Sequence, residues 1–117
     1  MGNIKSIIGA LKYLKVDEIK VSNNLSELST ADKLILPGVG SFPMAFENIK
    51  KLSIDKYLRE IVITEKKPIL GICLGMQLMA ESSSENLYTH GLGFVDGVVS
   101  MFSESSLKIP HMGFNQV

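Results

Sequence analysis

Cys73 is the single cysteine of the chain, and its surroundings give it a chemical reading. Residues 69–77 are ILGICLGMQ, in which an apolar run enters GxCxG and leaves in a helical pattern. That is the form of a nucleophile elbow, a strained strand-to-helix turn that lifts a nucleophile clear of a sheet. Glycines flank such a nucleophile because a Cβ there would collide with neighbouring backbone, and Gly71 and Gly75 occupy those places. A thiol at the start of a helix meets unpaired N–H groups and the positive end of the helix dipole, which favour the reactive thiolate. The N–H of Leu74 would then point at the oxyanion that forms when the sulfur attacks a carbonyl. The plain alternative is a small buried hydrophobe in a glycine-rich turn, which is what most lone cysteines are.

A second turn of the same kind tips the balance toward chemistry. Pro37-Gly38-Val39-Gly40 also follows an apolar run, 34–36, and also precedes a helix. Both turns therefore fall at the C-terminal edge of one sheet, where open α/β folds bind ligands. A phosphate-binding loop is a competing reading of PGVG. The segment lacks the third glycine of GxGxxG and the Lys-Ser/Thr that ends a Walker loop, so a purely structural turn is the better rival. Taken with the Cys73 turn, a backbone N–H of Val39 or Gly40 is expected to supply the other half of an oxyanion hole.

The elements that must hold these turns are written in the apolar spacing. Ile4, Ile7, Ile8, Leu11 and Leu14 predict an amphipathic helix whose face is buried against a sheet. Residues 19–21 predict a short strand ended by Asn23 and Asn24, and the stretch to Asp32 reads as loop with a short helical turn. The run 34–36 predicts a parallel strand covered on both faces and stopped by Pro37 and Gly38. Ser41 caps a helix reaching about Lys51 with Pro43 in its first turn, and Ser53 caps another. In the latter, Ile54, Tyr57, Leu58, Ile61 and Val62 keep a 3.6-residue period until a stop near Lys66, before Pro68. A buried strand over 69–72 comes next, then a helix from Met76 to about Ala80 that fades in serines 82–84. Past Gly91 the runs 94–95, 98–102 and 108–114 predict shorter strands. The alternation predicts an α/β fold with a doubly wound, mostly parallel sheet flanked by helices, in one domain over 1–117. Such a sheet normally begins with a strand, and this sequence begins with a helix, so something is expected to be missing before Met1.

Composition narrows the function classes. The 117 residues are 45% hydrophobic and 21% charged, enough apolar material for a core, and disorder is excluded. Lys+Arg 12 against Asp+Glu 12 leaves no electrostatic footprint for nucleic acid or an anionic membrane. One cysteine makes no internal disulfide, which fits a reducing, cytoplasmic setting. The longest apolar run, 69–80, is broken by Gly71, Gly75 and Gln77 and falls short of the roughly 18 residues of a membrane span. MGNIKS matches the short myristoylation pattern, yet Gly2 and Asn3 read more simply as the opening of the first helix. Met44, Met76, Met79, Met101 and Met112 read as packing residues. Asp17, Glu18, Glu60, Glu65 and Glu81 form no HExxH or paired-carboxylate pattern, so neither metal nor cofactor is expected.

Four stretches together carry a specific resemblance: GNIKSI, LPGVGSFPMA, PILGICLGMQLM, and the downstream pair GLGFVDGVV and KIPHMGFN. In these the chain resembles the class I (triad) glutamine amidotransferases, and within them the glutaminase subunits of imidazole glycerol phosphate synthases. The resemblance implies a flavodoxin-like α/β sheet, incomplete here at both ends. It implies that Cys73 attacks the side-chain amide of glutamine, with Leu74 and Val39 as oxyanion N–H donors. A peptide flip in PGVG, triggered by the partner, is one way to bring Val39 round. Gly38, Gly40 and Gln77 would hold the substrate. The segment His111, Met112, Gly113, Phe114 and Asn115 would face the ammonia-accepting cyclase/synthase subunit, a HisF-like barrel, in a heterodimer. Phe114 stands where the family usually has Trp, which leaves room for a relative that feeds a sugar-modifying enzyme of surface-polysaccharide synthesis.

A thiol nucleophile also needs a histidine and a group to orient it. The resemblance puts both in a His-x-Glu motif, and neither His90 nor His111 stands in one. His90 reads as a solvated loop residue and His111 as part of the interface. The 117 residues alone are accordingly expected to be a fragment without glutaminase activity, prone to aggregate through strand edges that a missing strand would leave open. A non-catalytic, partner-binding remnant is the reading from another class.

Overall fold

The apolar runs before the two glycine turns form strands β1 (Leu34–Gly38) and β2 (Ile69–Cys73), which pair in parallel. The computed structural model describes residues 4–103 and 109. The predicted interface segment 111–115, and the strand expected over 108–114 apart from residue 109, lie outside the described residues. In chain order the elements are α1 (Ile4–Tyr13), α2 (Leu25–Ser29), β1, α3 (Phe42–Lys51), α4 (Ile54–Arg59) continued by a π-helical turn (Glu60–Thr64), and β2. Then follow α5 (Leu74–Gln77), β3 (Ala80–Ser83), β4 (Thr89–His90) and β5 (Val95–Val99).

The architecture is α/β with parallel strand pairs flanked by helices, and its strands fall into two sheets. One is the pair β1–β2; the other has the order β4-β3-β5, with β3 parallel to β5 and antiparallel to β4. Leu34, Phe42, Phe46, Leu58, Ile61, Leu74, Leu78 and Leu92 make the core, with Phe42 and Phe46 of α3 stacked at 6.4 Å between ring centroids. The helices α3 and α4 thus bury their apolar faces against β1, β2 and α5, as their periodicity predicts.

Several expectations need correction. Helix α1 forms where predicted and closes in a Schellman turn, Val16 N–H donating to the Leu11 carbonyl and Lys15 taking φ 59°. It buries no residue, however, and Leu14 is 69% exposed, because periodicity dictates a helix but burial needs a surface to pack on. Residues 19–21 are not a strand, since no strand among the described residues pairs with their backbone. Asn24 instead caps α2, its Oδ1 accepting from the Ser26 N–H at 3.0 Å.

Pro37 and Gly38 belong to β1 rather than ending it, and the strands are not covered on both faces, Leu70 being 57% exposed. Ser41 and Ser53 stand at the N-caps of α3 and α4 without a side-chain bond. The helix expected over 76–80 starts earlier, at Leu74, and stops at Gln77. Residues 80–83 are strand β3, with Ser82 and Ser83 buried. His90 lies in β4 rather than a loop, though it is exposed.

Candidate active site

The register of β1 on β2 sets Gly38 opposite Cys73, so the PGVG turn and the Cys73 turn leave the same end of the same strand pair. Parallel strands carry both chain ends out at one edge, which gives two loops from distant sequence a common opening. The glycines make the closeness possible. A Cβ on Gly75 would overlap the Leu36 carbonyl oxygen, and one on Gly71 would overlap the Met76 Cα. A Cβ on Gly38 would sit 3.0 Å from the Gly75 nitrogen and 3.1 Å from the Leu74 Cβ. Backbone therefore packs on backbone where the turns meet.

Cys73 itself holds φ 54°, ψ −119°, a conformation that L side chains rarely adopt. Such strain persists only when the surroundings over-determine it, and it collects at functional sites. Here the surroundings are β2 behind and the single helical turn α5 ahead, whose first residue Leu74 is 2% exposed. The sulfur-bearing residue is exposed at the end of the strand, away from the core that holds Leu74. As the first residue of a helix, Leu74 has an N–H without an acceptor inside that helix. The buried-hydrophobe reading of Cys73 is corrected by its exposure.

Around it, Val39 is 52% exposed, Gly40 is exposed with φ +102°, and Gln77 is half-buried at the end of α5. The positive φ of Gly40 is one a side chain would strain. His90 lies in β4 of the second sheet, opposite Ser82, with its ring edge-on to Tyr88 at 5.2 Å, and among the described residues nothing hydrogen-bonds the Cys73 thiol. The ion pairs among the described residues, Lys20–Glu18 at 3.0 Å and Lys51–Glu47 at 4.0 Å, are on the solvated surface and do not involve residues of the turns. Among the described residues no three of His, Cys, Asp or Glu gather as a metal site. No helix among them is long and apolar enough to cross a membrane.

What the sequence reading missed is the support behind the Cys73 turn. The Leu92 N–H donates to the Leu78 carbonyl (2.7 Å), Phe94 and Val95 to Met79 (2.8 and 3.0 Å), Gly93 to Ala80 (3.0 Å) and Gly91 to Glu81 (2.7 Å). Segment 91–95 thereby takes up carbonyls of residues 78–81, the stretch that leads out of α5 and into β3. The signal was present in Gly91, where a Cβ would overlap the Ala80 carbonyl oxygen, but one glycine does not say which backbone approaches it.

The family model of glutamine amidotransferase class-I matches residues 1–117. The chain is similar to an imidazole glycerol phosphate synthase subunit HisH of Listeria monocytogenes serotype 4b (strain CLIP80459), 49% identical over 117 residues, 99% of this chain and 55% of the relative. It is likewise similar to subunit HisH 1 of Campylobacter jejuni (strain RM1221), 48% identical over 118 residues, 99% of this chain and 58% of that protein. A HisH subunit of Listeria innocua serovar 6a is 45% identical over 117 residues, again 99% of this chain and 55% of the relative. The chain spans a little over half the length of these curated relatives. With glycines packing two strand-end turns together and a strained, exposed cysteine between them, it belongs to the class I glutamine amidotransferase family.

Proposed function

We propose that this chain carries the nucleophilic half of a glutaminase that supplies ammonia to an imidazole glycerol phosphate synthase in histidine biosynthesis. The observation that carries the reading is Cys73, exposed and strained at the strand end that also bears PGVG. The names of the relatives support the pathway. The Cys73 thiolate attacks the side-chain amide carbon of glutamine, and the carbonyl π pair moves to oxygen. The resulting oxyanion takes hydrogen bonds from the N–H of Leu74 and of Val39. The C–N bond breaks, nitrogen leaves as ammonia with a proton from a general acid, and a glutamyl thioester remains. Water then adds to the thioester, releasing glutamate and returning the thiol.

Gly38, Gly40 and Gln77 hold the substrate beside the sulfur, with Cys73 as the nucleophile of the elbow. The general acid is assigned by resemblance to the histidine of a His-x-Glu motif, which the 117 residues do not contain. Residues His111, Met112, Gly113, Phe114 and Asn115 face the cyclase barrel in a cytoplasmic heterodimer, and the ammonia passes between the two subunits.

The test uses a chloroketone shaped like glutamine on the intact protein, read by peptide mass spectrometry. The expected result is a label on Cys73 that excess glutamine suppresses at least tenfold. Labelling that glutamine does not suppress overturns the substrate assignment.

A further inference from the structure

Helix α5 is one turn long, Leu74–Gln77, too short to hold its own backbone against the strain at Cys73. The residues that follow it are braced by segment 91–95, whose amides donate to the carbonyls of Leu78, Met79, Ala80 and Glu81. Leu92, fully buried, and Leu78, 2% exposed, both belong to the core at this seam. That segment is in turn held from the far side. The Arg59 guanidinium, at the end of α4, donates from Nη2 to the Gly91 carbonyl at 2.9 Å. Its Nη1 lies 3.6 Å from where a Cβ on Gly93 would be, so the planar group lies along both glycines. The contact spans 32 positions of sequence. A second long-range side-chain bond, Lys67 Nζ to the Ser29 carbonyl at 2.7 Å, is at an exposed position that involves neither turn. Directly after Arg59 the helix widens into its π-helical turn, Glu60–Thr64, an irregularity often found where a helix serves a function.

We propose that Arg59 is a positioning residue for the Cys73 turn. It clamps the Gly91 carbonyl, fixes segment 91–95 against residues 78–81, and so keeps Cys73 in its strained, exposed geometry without touching the substrate. Charge-assisted bonds from a guanidinium to a carbonyl are stronger than neutral ones, which suits a single side chain to this task. The proposal rests on the reading of Cys73 as a nucleophile.

The experiment compares alkylation of Cys73 by iodoacetamide at pH 7 in the intact wild-type protein, Arg59→Ala, Arg59→Lys and Phe46→Ala. Melting temperatures are recorded for all four. Phe46, a buried residue of the core with no bond to the Gly91 carbonyl, serves as the control for general loss of stability. The expected result is that folded Arg59→Ala reacts at least threefold more slowly than wild type, that Arg59→Lys recovers part of the rate, and that Phe46→Ala keeps it. A wild-type rate in folded Arg59→Ala, or an equal loss in Phe46→Ala, overturns the assignment. Should Arg59→Ala not fold, Arg59→Gln takes its place with the same two outcomes. If wild-type Cys73 reacts no faster than glutathione, the nucleophile reading itself fails and takes this one with it. A fast wild type beside an unchanged Arg59 variant overturns the Arg59 assignment alone.

Discussion

A cysteine at φ 54°, ψ −119° is held where glycine would rest without strain, and the difference is measurable. Strain of this kind costs about 1–3 kcal/mol. Glycine also carries an entropic cost of about 0.5–1 kcal/mol relative to alanine. Cys73→Gly should therefore be more stable than Cys73→Ala by about 1 kcal/mol, the reverse of the usual order, as read from urea midpoints of the intact protein. A Cys73→Gly protein less stable than Cys73→Ala would show that the strain is absent in solution. Both variants lose the sulfur and so share the loss of glutamine-analogue labelling, which separates the stability effect from the chemical one.

The elements pair glycines that tolerate nothing with a glycine that tolerates everything. Gly75→Ala sets a methyl against the Leu36 carbonyl oxygen and should cost about 3 kcal/mol, since backbone cannot yield as a side chain does. Gly9, inside α1, has nothing within 4 Å of its added Cβ, and Gly9→Ala should stabilise by about 0.7 kcal/mol through helix propensity alone. Leu92→Ala, at the seam between segment 91–95 and α5, should cost about 3 kcal/mol. Thermal melts of the three variants check the order, and a Gly75→Ala protein as stable as Gly9→Ala would contradict the backbone contact. The strand-turn-helix units at PGVG and Cys73 were legible because their signals are local: an apolar run, glycines at fixed offsets and a following helical period. Strand β3 was not, because Ala80-Glu81-Ser82-Ser83 has no apolar alternation and is a strand only through its bonds to β4 and β5. Residues 19–21 failed in the opposite way, having the right composition and no partner strand among the described residues. The period of α4 ran on into residues 60–64, and periodicity cannot distinguish an α-helix from its π-helical continuation.

At the scale of the whole molecule, the proposed chemistry calls for a histidine and a glutamate in a His-x-Glu motif that these 117 residues do not contain. The chain alone, lacking a His-x-Glu motif, should release no glutamate from glutamine above a Cys73→Ala control, and turnover above that control would refute the division of labour proposed here. On the proposed interface with a cyclase barrel, Phe114→Ala in the intact protein should weaken association at least tenfold, the effect of truncating an aromatic hot spot. Calorimetric titration would show this, and an unchanged affinity would remove Phe114 from the interface. The contact of Gly75 with the Leu36 carbonyl oxygen has one more consequence, which is mechanical. Two backbones that meet with no side chain between them have no compliant layer to absorb a displacement. A push on residues 38–40 from outside is therefore felt at the sulfur rather than lost in the rearrangement of side chains. The absence of two methyl groups, on Gly38 and Gly75, turns a pair of loops into one lever.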